Sequence, residues 1–128
     1  MNGAGFVAVG IGAALGAWLR WILGIFFNPM FPSVPLGTLI ANLVGGYLIG
    51  VAVEYFGQHA GVPPEARLFV ITGFLGGLTT FSTFSAEAVA LLSRAQYGWA
   101  ALHIGAHLAG SLFATVLGIL TVKTLTQV

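Results

Sequence analysis

Two histidines, His103 and His107, have the four-residue spacing of a metal site on a helix. Side chains at positions i and i+4 share one helix face, and histidine nitrogens bind Zn²⁺ and related ions. Ser111 extends the same face by one more turn. Only two nitrogen ligands are visible, and no acid stands next to them. A polar lining or a structural hydrogen bond is therefore favoured over a metal centre.

A second polar pair, Thr38 and Asn42, has the same spacing in another apolar stretch. The Asn42 amide offers two hydrogen-bond donors and an acceptor. In an apolar setting, such an amide either joins two helices or presents its donors to an anion. The residues alone leave both roles open.

The segment GFLGGLTTFSTFSAE, residues 73–87, places glycines and hydroxyl groups inside a long apolar run. Gly76 and Gly77 each weaken a helix by up to about 1 kcal/mol, and Thr79 and Thr80 are also poor helix formers. The pattern GGLTT therefore predicts a break in the helix. A break frees backbone groups, which need partners inside the protein, in a water-filled cavity or on an ion. The alternative is a continuous helix whose glycines form a packing seam.

Aromatic rings and polar groups follow the expected break. At 3.6 residues per turn, Phe81 and Phe84 share one face, beside a stripe of Thr80, Thr83 and Glu87. Phenylalanine is usually filler in a membrane protein, but the electropositive edge of its ring suits an anion. A carboxylate at the centre of a spanning helix costs about 2.5–3.5 kcal/mol, so Glu87 is expected to face the bundle or a vestibule. It is a candidate proton carrier, ion-path residue or charge near the interface.

These residues must be positioned by a membrane bundle. Of the 128 residues, 58% are hydrophobic and 5% are charged, whereas a soluble domain has about 25% charged residues. The net charge of +1 and the lack of a basic patch argue against nucleic acid as a partner. There is no cysteine, catalytic triad, phosphate loop or nucleotide fingerprint, so an enzyme is not expected. Donors, ring edges and a backbone break favour passage of a small ion, in particular an anion.

Four apolar segments predict an all-α integral membrane protein of one domain, because each is near or above the ~20 residues that a spanning helix needs. They cover about residues 6–27, 36–56, 67–92 and 99–122. The short connections predict antiparallel neighbours. Two pairs of glycines at four-residue spacing, Gly12 with Gly16 and Gly46 with Gly50, are expected where helices approach closely.

Positive charges are balanced between the two sides of this bundle. Arg67 and Lys123 fall on one side, and Arg20 and Arg94 fall on the other. Because Lys and Arg in short loops bias orientation, this balance leaves the orientation weakly determined. Either an unseen factor fixes one orientation, or the chain inserts both ways. In the second case, oppositely oriented copies would pair about a two-fold axis in the membrane plane.

The chain resembles the Fluc (CrcB) family of fluoride channels along nearly its whole length. The resemblance rests on GAWLRW around Arg20, GTLIANLVGGYLIG in the second span, GFLGGLTTFSTFSAE in the third and GSL at residues 110–112. It implies an antiparallel dual-topology homodimer of four-helix subunits in the inner (plasma) membrane, with the third helix broken near its middle. Each dimer would have two pores that let fluoride leave the cell passively.

The resemblance also implies roles for individual residues. A structural Na⁺ at the two-fold axis would be bound by the backbone carbonyls of Gly76 and Thr79, and Arg20 would be structural. The fluoride pathway would be formed by Thr38, Asn42, Phe81, Ser82, Thr83, Phe84, Glu87, His103, His107 and Ser111. The two histidines depart from the family pattern, since some relatives carry tyrosine or serine there.

Two other functions stay open. A small dual-topology exporter of organic cations, coupled to protons, would share the size, the four spans and the charge balance. It would normally need an acid deep in a helix, and the only candidates, Glu54 and Glu87, fall near helix ends. A non-transporting subunit of a membrane complex would give no ion flux when purified and placed in liposomes.

Overall fold

The computed structural model describes residues 1–127, and all regular structure in that range is helical. The α-helices are α1 (Gly3–Phe27), α2 (Leu36–Gln58), α3 (Pro64–Arg67), α4 (Gly76–Leu78), α5 (Phe81–Ser93) and α6 (Tyr97–Thr126). A 3₁₀ turn, Asn28–Met30, follows α1, and a π-helical segment, Leu68–Leu75, joins α3 to α4. Four stretches are long and apolar enough to cross a membrane: Gly3–Met30, Leu36–Gln58, Pro64–Ser93 and Tyr97–Thr126. The prediction of an all-helical protein with four such helices is confirmed.

The third of these stretches, Pro64–Ser93, is called the third span here. Its backbone leaves the helical region at Thr79 (φ −84°, ψ 155°) and Thr80 (φ −149°, ψ 120°). The preceding residues Gly76–Leu78 keep helical geometry. The two glycines of GGLTT are therefore not unwound, and only its two threonines are extended. The Thr80 hydroxyl accepts a hydrogen bond from the Thr83 amide and so caps the start of α5.

Glycines bring the backbones of neighbouring helices together along two seams. At the first, α1 packs on the third span, and a Cβ at Gly16 would collide with the Phe74 carbonyl oxygen. Gly77 lies on the same seam, where a Cβ would collide with the Ala13 carbonyl oxygen. At the second, α2 packs on α6, and a Cβ at Gly50 would collide with the Thr115 carbonyl oxygen. Gly12 and Gly46 also lie against these partners, so the predicted packing role of both glycine pairs is confirmed.

The turn between α5 and α6 sets the register of these two antiparallel helices. Ala95 has a φ of 56°, in the left-handed region that usually holds glycine after a helix. The amides of Ala95 and Gln96 donate to the carbonyls of Leu92 (3.0 Å) and Leu91 (2.9 Å). This hydrogen-bond pattern is a Schellman motif, which ends α5 and reverses the chain direction so that α6 runs antiparallel to α5.

Asn28 organises the start of α2, a role that the sequence analysis missed. Its Oδ1 atom accepts hydrogen bonds from the amides of Gly37 (2.7 Å) and Thr38 (3.2 Å). These amides belong to the first turn of α2, where no partner within the helix exists. Asn28 lies eight residues before Leu36, outside the usual capping position, so local capping patterns could not identify it.

Candidate functional site

Asn42 holds the extended backbone of the third span. Its Oδ1 atom accepts a hydrogen bond from the Thr80 amide (2.8 Å), and its Nδ2 atom donates to the Thr80 carbonyl (3.0 Å). The same Nδ2 atom lies 3.0 Å from Nδ1 of His107. One amide side chain on α2 thus contacts the third span and α6. Of the two roles left open, this geometry favours the joining of helices, because both Nδ2 hydrogens already have acceptors.

The Asn42 and Arg20 side chains satisfy backbone groups that the interrupted helix leaves free. In a continuous helix, Gly77 would receive a hydrogen bond from residue 81, the first residue of α5. Here the Arg20 guanidinium donates through Nε to the Gly77 carbonyl (3.1 Å). A cation at the C-terminal end of a helix is also favoured by the helix dipole.

Glu87 joins α5 to α2 and faces α6. Its Oε2 atom accepts a hydrogen bond from the Thr38 hydroxyl (2.7 Å). Its Oε1 atom lies 3.5 Å from Nε2 of His103. Glu87 stands eight residues before Ala95 and His103 stands eight residues after it, so the antiparallel turn places them side by side. The expectation that no acid stands next to the histidine pair is therefore wrong, since turn geometry supplies one from 16 residues away.

Aromatic rings and imidazoles pack together at this site. The Phe84 ring stacks on His103, with centroids 5.4 Å apart, and lies 4.7 Å from the His107 centroid at a tilt. Phe81 meets Phe84 edge to face, with centroids 5.5 Å apart. The two phenylalanines differ in exposure, since Phe84 is 7% exposed and Phe81 is 74% exposed in the single chain. Phe84 thus belongs to the interior, whereas Phe81 faces outward.

A cavity of about 450 Å³ opens beside the extended residues. It is bounded by α2, the third span and α6. Among the predicted site residues, those on its wall are Asn42, Gly76, Thr79, Phe81, Phe84, His107 and Ser111. Most of its wall is apolar.

The structure brings most of the predicted site residues into one place. Thr38, Asn42, Phe84, Glu87, His103 and His107 form a connected group, which we call the polar cluster. Ser111 lines the neighbouring cavity. Ser82 contacts Thr80 through their hydroxyl oxygens (3.3 Å), and Thr83 contributes its amide to the helix cap. Thr80 is the central residue that the sequence analysis left out of the site. Its residue type could have identified it, because threonine is a favoured N-cap residue directly before a helix.

Comparison with known proteins gives consistent matches along the chain. Residues 7–119 match the model of the family described as CrcB-like protein, Camphor Resistance (CrcB). A Nitrosospira multiformis protein named "Fluoride-specific ion channel FluC" is 68% identical over 120 residues, which is 94% of each chain. A Ralstonia pickettii protein of the same name is 66% identical over 124 residues, covering 97% of this chain and 98% of its own. A third, from Thiobacillus denitrificans, is 62% identical over 120 residues, covering 94% and 97%. The chain therefore belongs to the CrcB family.

Proposed function

We propose that this protein is a channel that conducts fluoride passively and selectively out of the cell. The names of its relatives in several bacteria support fluoride as the ion. The observation that carries the proposal is the polar cluster itself, a connected run of hydrogen-bonding groups and ring edges inside an otherwise apolar bundle. Polar and ionisable groups are costly inside a membrane, and where they occur they commonly mark the path of an ion.

Fluoride holds its water strongly, so a selective path must replace that water with close hydrogen-bond donors. His107 is positioned to supply one. Its Nδ1 atom faces the Nδ2 donor of Asn42, whose orientation is fixed by the Thr80 amide on Oδ1. Nδ1 is therefore the acceptor, and the neutral ring carries its proton on Nε2. That Nε2 is buried and has no partner among the described residues, so it is free to donate to an anion.

The phenylalanine rings complete the proposed path. A ring edge attracts an anion without the full positive charge that would trap it. Phe84 lies inside the polar cluster, and Phe81 continues from it toward the outward face. The proposed pathway contains the ten residues expected from the family resemblance: Thr38, Asn42, Phe81, Ser82, Thr83, Phe84, Glu87, His103, His107 and Ser111.

We further propose that two copies pair in opposite orientations, giving two pores per dimer. Phe81 is exposed in the single chain, and Gly76 and Thr79 line an open cavity. Backbone carbonyls at that depth need cover in a membrane. A second copy laid across this face would provide it. The inner, or plasma, membrane is the proposed location.

The carbonyls of Gly76 and Thr79 fit a structural Na⁺ at the dimer axis. In a continuous helix, Gly76 would receive a hydrogen bond from the Thr80 amide, which donates instead to Asn42 (2.8 Å). Thr79 would receive one from the Thr83 amide, which donates instead to the Thr80 hydroxyl (3.1 Å). Both oxygens are thus released from helix bonding. Two from each copy would offer hard oxygen ligands suited to a small cation. When bound, Na⁺ would hold the two extended segments together.

The decisive experiment measures efflux from liposomes that contain the purified protein. A fluoride electrode should record rapid release from fluoride-loaded vesicles, whereas chloride-loaded vesicles should release little. A proton-coupled exporter would instead require a pH gradient for net movement. Equal release of the two halides, or no release of either, would contradict the proposal.

A further inference from the structure

The polar cluster contains four buried side-chain atoms that have no hydrogen-bond partner within residues 1–127. They are Oε1 of Glu87, Nδ1 and Nε2 of His103, and Nε2 of His107. Both histidines are deeply buried, with exposed fractions of 0% for His103 and 3% for His107. Buried polar atoms normally have partners, so a group of unpaired ones indicates that a ligand completes the site.

We propose that Glu87, His103 and His107 form a binding site for a divalent transition metal such as Zn²⁺. Each residue has one ligand atom within 4.8 Å of those of the other two. The 3.5 Å between Glu87 Oε1 and His103 Nε2 is long for a hydrogen bond. It matches two ligands of one tetrahedral zinc, which lie about 3.3 Å apart when the metal–ligand distances are about 2.0–2.1 Å. Two histidines and one glutamate are an established ligand set for zinc, with a fourth position left open.

The chemistry of the donors selects the class of metal. Imidazole nitrogen suits zinc, copper, nickel and iron, whereas calcium and magnesium prefer oxygen ligands throughout. This site is therefore separate from the proposed Na⁺ site at the carbonyls of Gly76 and Thr79. The Glu87 carboxylate also supplies a negative charge, which offsets part of the charge of the ion. Its other oxygen keeps the hydrogen bond from Thr38, which would orient the ligand as a supporting contact.

Metal binding would also disturb the contact between His107 and Asn42. If the metal binds Nδ1 of His107, it takes the lone pair that now faces Asn42. If it binds Nε2, the ring proton must move to Nδ1, which then meets an amide donor. In both cases Asn42 loses its histidine acceptor. An ion at this site would therefore alter the residue that holds the extended Thr80 backbone.

The site lies close enough to one end of the bundle for an ion to reach it. Glu87 is six residues from Ser93, the end of α5, and His103 is six residues from Tyr97, the start of α6. At a rise of 1.5 Å per residue, each lies about 9 Å along its helix from the connecting turn. The Glu87 side chain keeps 16% exposure, so the cluster is not sealed.

The test measures metal binding to the purified dimer after any histidine tag has been removed. Co²⁺ added alone should give visible absorption bands typical of four- or five-coordinate cobalt, with one ion per subunit. Zn²⁺ should then remove those bands. X-ray absorption of the zinc-loaded wild-type protein should show two imidazole ligands and a carboxylate. Absence of cobalt bands in the wild-type protein would overturn the proposal, and this result does not depend on any variant folding.

Substitutions locate the site. Glu87→Gln, His103→Gln and His107→Gln should each weaken Zn²⁺ binding by more than the roughly 10- to 100-fold that loss of a supporting group costs. The control is His59→Gln, because His59 is exposed, lies at the end of α2 outside the polar cluster, and its imidazole contacts Tyr55 of its own segment, with Nδ1 2.8 Å from the Tyr55 carbonyl. Equal binding by the cluster variants and the control would place the metal elsewhere. These measurements do not use fluoride. If the protein binds Co²⁺ but conducts no fluoride, the proposed function is contradicted and the metal site is not.

Discussion

At the scale of single residues, a few polar side chains of this protein form hydrogen bonds between helices. Thr38, on α2, donates its hydroxyl to Glu87, on α5. Several other hydroxyls instead donate to the carbonyl four residues earlier in the chain, as Thr124 does to Leu120 (2.7 Å). The contact between Thr38 and Glu87 therefore contributes to tertiary structure, whereas the Thr124 bond is local.

This contrast gives a matched pair of variants. Thr38→Val removes the hydroxyl that donates to Glu87 Oε2 and should lower stability by about 0.6–2 kcal/mol, the range for interhelical hydrogen bonds in membranes. Thr124→Val removes only a local bond and should change stability little. Thermal unfolding of the purified protein in detergent measures both. Equal unfolding temperatures for the two variants would show that the contact between Thr38 and Glu87 does not contribute to stability.

Phe84 is the residue whose ring chemistry matters most to the proposed path. Phe84→Ile keeps an apolar side chain but removes the ring edge and its contact with His107. Ring interactions are worth about 0.5–1.5 kcal/mol, and about 1.4 kcal/mol corresponds to a tenfold change in rate. Fluoride efflux should therefore fall by roughly 2- to 10-fold, while the elution volume of the purified protein stays unchanged. Phe6→Ile, at an exposed α1 ring outside the polar cluster, is the control and should leave efflux unaltered.

The limits of sequence reasoning are also clearest at this scale. The spacing of Thr38 with Asn42, and of His103 with His107, was enough to place each pair on one helix face. The approach of Glu87 to His103 was not predictable from spacing within one helix. It depends on the position of the α5–α6 turn, where Ala95 adopts a conformation that its residue type does not favour.

At the scale of helices, the extended residues of the third span are stabilised by their neighbours. Asn42→Leu should leave both backbone groups of Thr80 unpaired, at a cost of about 1–3 kcal/mol for each buried group. Fluoride efflux should then be strongly reduced. Asn42→Asp keeps an acceptor for the Thr80 amide but loses the donor. Its fluoride efflux should therefore lie between that of Asn42→Leu and that of the wild type. Hydrogen exchange of the Thr80 amide reports the effect directly, and unchanged protection in Asn42→Leu would contradict it.

The glycines of the helices serve close packing more than they serve unwinding. The sequence pattern GGLTT identified the right segment, but Gly76–Leu78 stays helical and Gly77 packs against α1. Glycine weakens a helix in isolation, yet it also permits close contact, and residue type alone does not decide between the two effects.

A pair of α1 variants tests this interpretation. Gly16→Ala should destabilise the protein by about 1–3 kcal/mol, as overpacking does, because its Cβ would meet the backbone of the third span. Gly10 has open space around it, and Gly10→Ala should raise the free energy of unfolding by up to about 1 kcal/mol, because alanine has the higher helix propensity. Opposite shifts in the unfolding temperature are expected. Destabilisation of similar size in both variants would point to a loss of glycine flexibility instead.

At the scale of the whole molecule, the balance of charge determines how the proposed dimer assembles. In the topology expected from the sequence, Arg67 and Lys123 fall on one side and Arg20 and Arg94 on the other, and the net charge is only +1. Orientation follows positive charge in short loops, so this chain should insert in both directions. Reporters fused to the C-terminus should be active on both sides of the membrane.

Two added lysines beside Arg94 should retain the connection between α5 and α6 inside the cell and bias the population to one orientation. Fluoride efflux should fall as oppositely oriented partners become scarce, and co-expression of an oppositely biased variant should restore it. A wild-type reporter active on one side only would rule out the antiparallel dimer.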